Sequence, residues 1–184
     1  MTIIGITGTL GAGKGTVVAY LKERGFAHVS ARSFFAEEME RRGIAVDRDA
    51  MTQFANNLRE EHGPGYVFNA LLERARDAGD RVIIESLRTP GEVVKMREHP
   101  DAILLAVDAD QRIRYERIHT RKSELDSVTF EEFQAQEARE MENTEPHKQN
   151  IRAVIELADH HLTNNGSLEE LHAQIDAVLI EIGL

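Results

Sequence analysis

The segment GTLGAGKGT, which begins at Gly8, holds four glycines and one lysine within nine residues. This composition suits phosphate binding, because glycine has no Cβ to block a close approach or left-handed backbone angles. Consecutive backbone N–H groups can then surround an anion, and Lys14 adds a mobile positive charge. The spacing of Gly8, Gly13 and Lys14 follows the Walker A pattern, except that Gly15 comes directly after the lysine and the hydroxyl of Thr16 one place later.

The sequence around this segment indicates a strand before it and a helix after it. The residues MTIIGIT are rich in isoleucine, and VVAYLKERG is typical of a helix that ends before Gly25. A strand, a glycine-rich turn and a helix in this order separate a phosphate-binding loop from a chance match, and the helix N-terminus adds partial positive charge. The alternative, a glycine-rich turn with an exposed lysine, is disfavoured by the agreement of these features. The predicted phosphate-binding residues are Gly8, Gly11, Ala12, Gly13, Lys14, Gly15 and Thr16.

The rest of the chain alternates strands and helices, which predicts an α/β protein with a parallel sheet. The strand candidates are residues 2–7, 27–30, 81–85, 102–108 and 160–164. Three later helices begin with capping boxes, in which a Ser or Thr and a Glu three residues on satisfy free N–H groups. These are Thr89 with Glu92, Thr129 with Glu132, and Ser167 with Glu170.

Two long stretches interrupt this alternation. Residues 31–80 are helical in pattern, charged, and longer than one crossover helix requires. Residues 121–150 are polar and poor in apolar periodicity at their start. Without repeats or linkers, the sequence predicts one domain over residues 1–184. We expect it to carry an acceptor-binding insertion at about 31–65 and a lid at about 122–149, both suited to closing over substrates.

Composition and charge limit the class of partner. The net charge of −10 argues against a general nucleic-acid surface, so any phosphate site must concentrate its arginines locally. The absence of cysteine excludes disulfides and thiolate metal sites, and favours a cytoplasmic location. Neither a signal-peptide pattern nor an apolar stretch of membrane-spanning length is present, so no membrane association is expected.

The segment RVIIESLRTPGEV supplies two further groups that phosphoryl transfer requires. Glu85 ends a strand of buried character, where a carboxylate can reach Mg²⁺ beside the phosphate loop. Arg88 lies at the carboxyl end of the sheet, where ligands of α/β proteins bind. Two alternatives stay open: Glu85 as a cap of the next helix, and Arg88 in a surface salt bridge.

A cluster of arginines lies in the segment DADQRIRYERIHTRK. On a helix, Arg114, Arg117 and Arg121 share one face, because their spacing is i, i+3 and i+7. Such a stripe repels itself unless an anion or carboxylates lie opposite, and Glu116 and Glu124 could supply part of that balance. A solvated charged face is the other interpretation, but the phosphate loop favours a role on phosphate.

These segments together resemble the nucleoside-monophosphate kinase group of P-loop kinases. GTLGAGKGT is similar to the adenylate-kinase form of Walker A, in which Gly-Thr follows the lysine. HVSAR resembles the start of the acceptor-binding arm of that group. IIESLR resembles its Asp-Gly-x-x-Arg stretch, but it is one residue shorter and has Glu85 in place of the Asp. YERIHTR resembles the entry to the lid, and TNNGSLEEL the closing strand, loop and helix. A closer likeness, also carried by NLREEHG, is to uncharacterised, mainly archaeal P-loop proteins similar to adenylate kinase and dephospho-CoA kinase.

The resemblance implies a three-layer P-loop kinase fold with a five-stranded parallel sheet in the order 2-3-1-4-5, a mobile acceptor arm and a lid. Arg117 would lie by the adenine and Arg121 by the phosphates, and the backbone around Asn165 and Gly166 would cradle the adenine. One departure concerns the arginine that grips the AMP phosphate in adenylate kinases, since Ala36 stands at the matching position. The candidates to substitute for it are Arg32, Arg42 and Arg59.

The expected activity is therefore ATP-dependent phosphoryl transfer to a small phosphorylated acceptor, with a nucleoside or deoxynucleoside monophosphate favoured. Thr16 and Glu85 would organise Mg²⁺, and Arg88 would clamp the acceptor phosphate. Dephospho-CoA kinase is one alternative, but its hydroxyl acceptor would want an aspartate base behind the second strand, where the sequence reads SARS. A regulatory ATPase is another, and a monomer or a homodimer is expected. The predicted catalytic residues are Lys14, Arg88, Arg117, Arg121 and Arg139.

Overall fold

A five-stranded parallel sheet forms the centre of the molecule, in the computed structural model that describes residues 1–120 and 129–184. The strands are β1 (Thr2–Gly8), β2 (Ala27–Ser30), β3 (Arg81–Glu85), β4 (Ala102–Asp108) and β5 (His160–Thr163). Their order is β2-β3-β1-β4-β5, which confirms the predicted order. Because β1 is central, the loop that follows it lies at the middle of the carboxyl edge of the sheet, the edge where α/β proteins bind their ligands.

Helices connect the strands, and three of them begin at the predicted capping boxes of Thr89, Thr129 and Ser167. In each, the Ser or Thr oxygen accepts a backbone N–H while the Glu carboxylate accepts the N–H of the cap residue. The helices of the described residues are α1 (Lys14–Glu23), α2 (Ala31–Arg41), α3 (Arg48–His62), α4 (Tyr66–Arg76), α5 (Pro90–Met96), α6 (Gln111–Thr120), α7 (Phe130–Met141), α8 (Ile151–Glu156) and α9 (Leu168–Glu181).

The helices cover both faces of the sheet and give three layers. Side chains alternate between the faces of a strand, so Ile3 and Ile4 belong to different halves of the core. Ile3 packs in the half formed with α2, α3, α4, α5 and α8. Ile4 packs in the half formed with α1 and α9. The sheet is thus buried on both sides, which fixes the positions of the strand ends.

The first insertion is anchored to the core by its apolar side chains. Phe34, Phe35, Met39 and Phe54 are all buried. Phe35 and Phe54 meet edge to face, with ring centroids 6.4 Å apart. This packing holds α2 against α3 and so determines where the first residue of α3, Arg48, is presented.

Among the helices of the described part of the chain, none combines the length and the apolar composition that a bilayer crossing requires.

Candidate functional site

The loop between β1 and α1 requires glycine at its two tightest positions. Gly8 has a φ of 139°, and a Cβ there would lie 2.0 Å from the carbonyl oxygen of Val107. Gly13 has a φ of 101°, and a Cβ there would lie 2.1 Å from Nδ2 of Asn164. Side chains are strained at such angles whatever the space. No side chain caps α1, so the helix N-terminus is available to an anion.

Lys14 folds back over this loop. Its Nζ donates hydrogen bonds to the carbonyl oxygens of Gly8 and Thr9, at 2.9 and 2.7 Å. The pKa of Lys14 falls from 10.5 to about 7, first because the ammonium is withdrawn from water and then because Arg88 is close. The charges of Glu85 and Glu140 oppose this shift. A phosphate beside the ammonium would reverse it, because an opposite charge favours the protonated form.

A strained turn follows β3 and lies between the candidate residues Glu85 and Arg88. Ser86 has a φ of 74° and is the one non-glycine residue of the described chain with a positive φ. The N–H groups of Ser86 and Leu87 both donate to the carbonyl oxygen of Ile6, at 2.9 and 3.2 Å. Such a residue costs about 1–3 kcal/mol and persists only where its surroundings hold it. The turn ties Glu85 and Arg88 to the strand that leads into the phosphate loop.

Glu85 does not cap the next helix, so that alternative is excluded. Its Oε2 lies 3.0 Å from Nε2 of His28 on the neighbouring strand β2. Burial alone would raise the pKa of Glu85, but the hydrogen bond and charge of His28, with the charges of Lys14 and Arg88, outweigh it and hold the pKa below its ordinary value. The group is therefore a carboxylate at neutral pH, the form that can bind a metal ion.

Arg88 is held at both of its backbone groups. Its N–H donates to Oε2 of Glu92 at 2.7 Å, and its carbonyl oxygen accepts from the N–H of Asn150 at 2.9 Å. The guanidinium donates to Oε2 of Glu140 and to Oε1 of Gln149, both at 2.9 Å. This ion pair is largely enclosed, with the side chain of Glu140 only 13% exposed. Arg88 therefore links the core to α7 and is not in a surface salt bridge.

The arginines of the first insertion have different environments. Arg59 is committed to Glu92, with Nε 2.9 Å from Oε1 and both side chains at most 1% exposed. Arg42 lies on the surface beside Glu38 and over the ring of Phe54, and Arg32 is exposed. Arg48, which the sequence analysis did not select, instead reaches the site, because its Nη2 donates to Oε1 of Glu140 at 2.9 Å.

The arginines of α6 do not act as one stripe. Arg114 donates to the carbonyl oxygens of Ala109 and Leu10 and pairs with Glu137 of α7, so its counter-charge is not Glu116. Arg117 places Nη2 3.4 Å from Oδ1 of Asn164. Its Nη1 is the one buried side-chain polar atom in the described residues that lacks a partner. Arg121, predicted near the phosphates, lies outside the described residues, as does Glu124.

The segment after β5 closes the far side of the loop. Asn164 donates from Nδ2 to the carbonyl oxygen of Ala12 at 2.8 Å and so joins the phosphate loop to β5. Asn165 bonds twice to Asp110, at 2.7 and 3.0 Å, and this ties the loop before α9 to the start of α6. Gly166 follows in that same loop. The residues predicted at the adenine, Arg117, Asn165 and Gly166, are thus brought to one end of the phosphate loop.

Arg139 lies on the wall of a small cavity. This cavity has a volume of about 140 Å³ and lies between α3, α7 and the segment before α8. All ten residues that line it are polar or charged: Arg48, Asp49, Thr52, Asn56, Gln136, Arg139, Glu140, Asn143, Lys148 and Gln149. The carboxylate that Arg88 and Arg48 share also lines this cavity, so Arg139 and Glu140 face the same space.

The residues present fit a nucleotide and a magnesium ion brought with it. The glycine cradle and the unpartnered Nη1 of Arg117 both suit an anionic ligand. In the described parts of the chain, no three acidic or histidine side chains converge to hold a metal by themselves. Mg²⁺ does not require that, because it is commonly bound by one or two protein oxygens and the phosphates of its ligand. Thr16 and Glu85 can provide such oxygens.

Sequence reasoning missed Arg48, Glu140, His28 and Asn164. Only Arg48 carried a local signal: it is a cation in the first turn of a helix, where the helix dipole disfavours positive charge. The other three act through contacts between residues more than fifty positions apart. Such pairings depend on the tertiary fold and leave no mark in spacing.

A family model described as an AAA domain matches residues 4–145. The chain is 31% identical to the UPF0200 protein TK1334 of Thermococcus kodakarensis, over 98% of this chain and 97% of that protein. It is 32% identical to the UPF0200 protein MJ1399 of Methanocaldococcus jannaschii, over 99% of this chain and 91% of that protein.

Solved structures share the architecture. The structure of TT1252 from Thermus thermophilus superposes with a TM-score of 0.67 at 24% identity, covering 98% of this chain and 97% of that one. A shikimate kinase from Bacteroides thetaiotaomicron gives 0.60 at 12% identity, with 100% and 99% covered. A dephospho-CoA kinase from Campylobacter jejuni gives 0.54 at 11% identity, with 98% and 97% covered. The fold is thus that of P-loop kinases, as the sequence predicted.

Proposed function

Because this chain belongs to the UPF0200 family and its phosphate loop falls within the matched AAA domain, we propose that it is an ATP-dependent phosphotransferase acting on a small phosphorylated acceptor. The proposal rests on one observation above all. The turn between Glu85 and Arg88 is bonded to Ile6 on the strand that leads into the phosphate loop, and the charges of Glu85 and Arg88 act on Lys14. This nearness supports adjoining sites for a donor phosphate and an acceptor phosphate. Small-molecule kinases among the structural neighbours support this class of activity.

In this proposal each residue has a defined task. The loop amides and Lys14 hold the β- and γ-phosphates of ATP. Thr16 and Glu85 would hold Mg²⁺, which would supply positive charge beside those phosphates. Arg88 positions the acceptor phosphate. The cationic residues that would neutralise the transferred group when the lid closes are Arg117, Arg121 and Arg139. The backbone around Asn165 and Gly166 would lie against the adenine.

A phosphorylated acceptor also fits the residues at the end of β2, where the described chain has no carboxylate to act as a base. The oxygen of an acceptor phosphate is already ionised at neutral pH, so no side chain must remove a proton from it. A hydroxyl acceptor, as in dephospho-CoA kinase, requires such a group. β2 ends at Ser30, followed by Ala31, and neither can serve. A nucleoside or deoxynucleoside monophosphate is therefore the favoured acceptor, with the insertions at about 31–65 and 122–149 acting as arm and lid.

A coupled assay of ATP consumption tests this proposal. The purified chain is incubated with ATP, Mg²⁺ and each common nucleoside or deoxynucleoside monophosphate in turn, and with dephospho-CoA. We expect ATP consumption that depends on one acceptor or a small group of acceptors, with formation of the phosphorylated product. Turnover with dephospho-CoA alone would move the assignment to that kinase. ATP hydrolysis at the same rate with and without every acceptor would indicate a regulatory ATPase.

Binding of nucleotide should take up a proton at Lys14. In the protein without nucleotide, Lys14 has a pKa of about 7. A phosphate beside the ammonium raises this pKa toward its ordinary value. Between pH 7 and pH 10.5 the complex therefore binds more protons than the free protein, and affinity falls as pH rises, by up to about tenfold per pH unit. Calorimetric titration with Mg-ADP at pH 8, in buffers of different ionisation enthalpy, should show uptake of about one proton. Lys14→Met should show none, and equal heats for the natural chain in all buffers would contradict this assignment.

A further inference from the structure

The two carboxylate oxygens of Glu140 accept hydrogen bonds from two different arginines. Oε1 accepts from Nη2 of Arg48 and Oε2 accepts from Nη1 of Arg88, both at 2.9 Å. Three separate parts of the chain meet here: the first insertion through Arg48, the core through Arg88, and α7 through Glu140. Two guanidinium groups around one enclosed anion form the arrangement that binds phosphate strongly in proteins.

The position of this carboxylate coincides with the site of the proposed reaction. The charge of Glu140 acts on the ammonium of Lys14, as does that of Arg88, so the carboxylate lies near the phosphate loop as well as between the arginines. The polar cavity of about 140 Å³ opens beside it. A ligand in that cavity, lined also by Arg139 and Lys148, would have its anionic group next to the two arginines.

A second carboxylate on the same helix supports this interpretation. Glu137 precedes Glu140 by three residues and therefore lies on the same face of α7. It pairs with Arg114, which also bonds to the carbonyl oxygen of Leu10 in the phosphate loop, and it accepts from Nε2 of Gln111 at 2.7 Å. Thus two acidic side chains of α7, Glu137 and Glu140, pair with arginines of the site. An anionic ligand would compete with these carboxylates for the same arginines.

We propose that Arg48 and Arg88 form a two-arginine seat for the oxyanion of the acceptor, and that Glu140 occupies this seat until the acceptor displaces it. The inference rests on the proposed function in placing the acceptor beside Arg88, and it adds Arg48 as a second binding residue. Glu140 then acts as an internal competitor. It keeps the two arginines paired and correctly placed when no acceptor is bound, and it weakens the binding of any single small anion.

The test measures binding of inorganic phosphate by calorimetry, without any phosphoryl transfer. Glu140→Gln keeps the shape and removes the competing charge, so we expect phosphate to bind about tenfold more tightly than to the natural chain. The matched control is Glu142→Gln, at the end of the same helix, where the side chain is 64% exposed and pairs with Arg152. It should leave phosphate affinity within about twofold. If Glu140→Gln does not fold, as judged by thermal unfolding, Glu140→Asp is titrated instead, because its shorter carboxylate cannot span both arginines.

A second substitution separates the seat from the phosphate loop, which also binds phosphate. Arg48→Gln should remove most of the gain produced by Glu140→Gln when the two are combined, whereas the exposed Arg41→Gln should not. A gain that persists without Arg48 places the ion in the loop and overturns the proposal, as does an unchanged affinity in Glu140→Gln. Because phosphate binding needs no acceptor turnover, a failed acceptor screen would leave a positive result intact, and a successful screen would not rescue a negative one.

Discussion

Replacing Lys14 by alanine should lower kcat by about 10²–10³-fold, the loss typical of removing one preorganised group that stabilises transition-state charge. The side chain supplies the only loop cation in the sequence between Gly8 and Thr16, and its hydrogen bonds go to the loop itself. The measurement is the steady-state rate of ATP consumption with the acceptor that the screen identifies. Normal turnover together with normal ATP affinity would refute the kinase assignment.

The chain should still fold after this substitution, and its free energy of unfolding should depend less on pH. Folding lowers the pKa of Lys14 to about 7, so the unfolded chain binds more protons between pH 7 and pH 10.5, and stability rises with pH in that window. Lys14→Ala removes this dependence. Lys22→Ala, at an exposed position of the same helix, is the matched control. It should change neither the rate of ATP consumption nor the pH dependence of the free energy of unfolding.

Replacing Arg59 by methionine should lower the free energy of unfolding by about 3–5 kcal/mol, because it leaves a buried carboxylate without its counter-charge. Glu92 is fully enclosed and binds Arg59 through Oε1 while Oε2 accepts the N–H groups of Arg88 and Thr89. The pair therefore supports both the start of α5 and the backbone of an acceptor-binding candidate. Denaturant unfolding measures the effect, and acceptor KM should rise with it.

Two comparisons make that prediction specific. Arg59→Met combined with Glu92→Gln should be less destabilised than Arg59→Met alone, because a neutral amide is cheaper to bury than an unpaired carboxylate. Arg76→Met, which removes an arginine paired with Glu73 on the surface, should leave the unfolding midpoint in place. Equal stability of Arg59→Met and Arg76→Met would show that the buried pair does not stabilise the fold.

The elements of the fold were predictable because their signals are local. The bounds of β2, β3 and β4 agree with the prediction, while β1 and β5 differ by one residue at their ends. The three capping boxes are present because each needs only two side chains three residues apart. Strand order came from the resemblance, and it is confirmed.

The site was predictable where one segment contains its own partners, as the phosphate loop does. Arg59 shows the limit of that reasoning. Its place on the acceptor arm made it a candidate for binding a phosphate, yet tertiary packing pairs it with Glu92, thirty-three residues later. The position of Arg48 escaped prediction for the same reason, because the carboxylate it meets lies ninety-two residues away. Which of several arginines faces a ligand is decided by the packing of helices against each other.

The bond from Asn164 to the carbonyl oxygen of Ala12 has a consequence for synthesis of the chain. It spans 152 residues, and at about 5–20 residues per second a ribosome needs roughly 8–30 seconds to add them. During that interval the glycine segment has been synthesised, but its partner Asn164, the residue directly after β5, has not. Nascent chains thus pass through a period in which the loop lacks the contact that holds it, and competence to bind nucleotide arrives late in translation. Ribosome-bound chains stalled before and after Asn164 would report this timing directly.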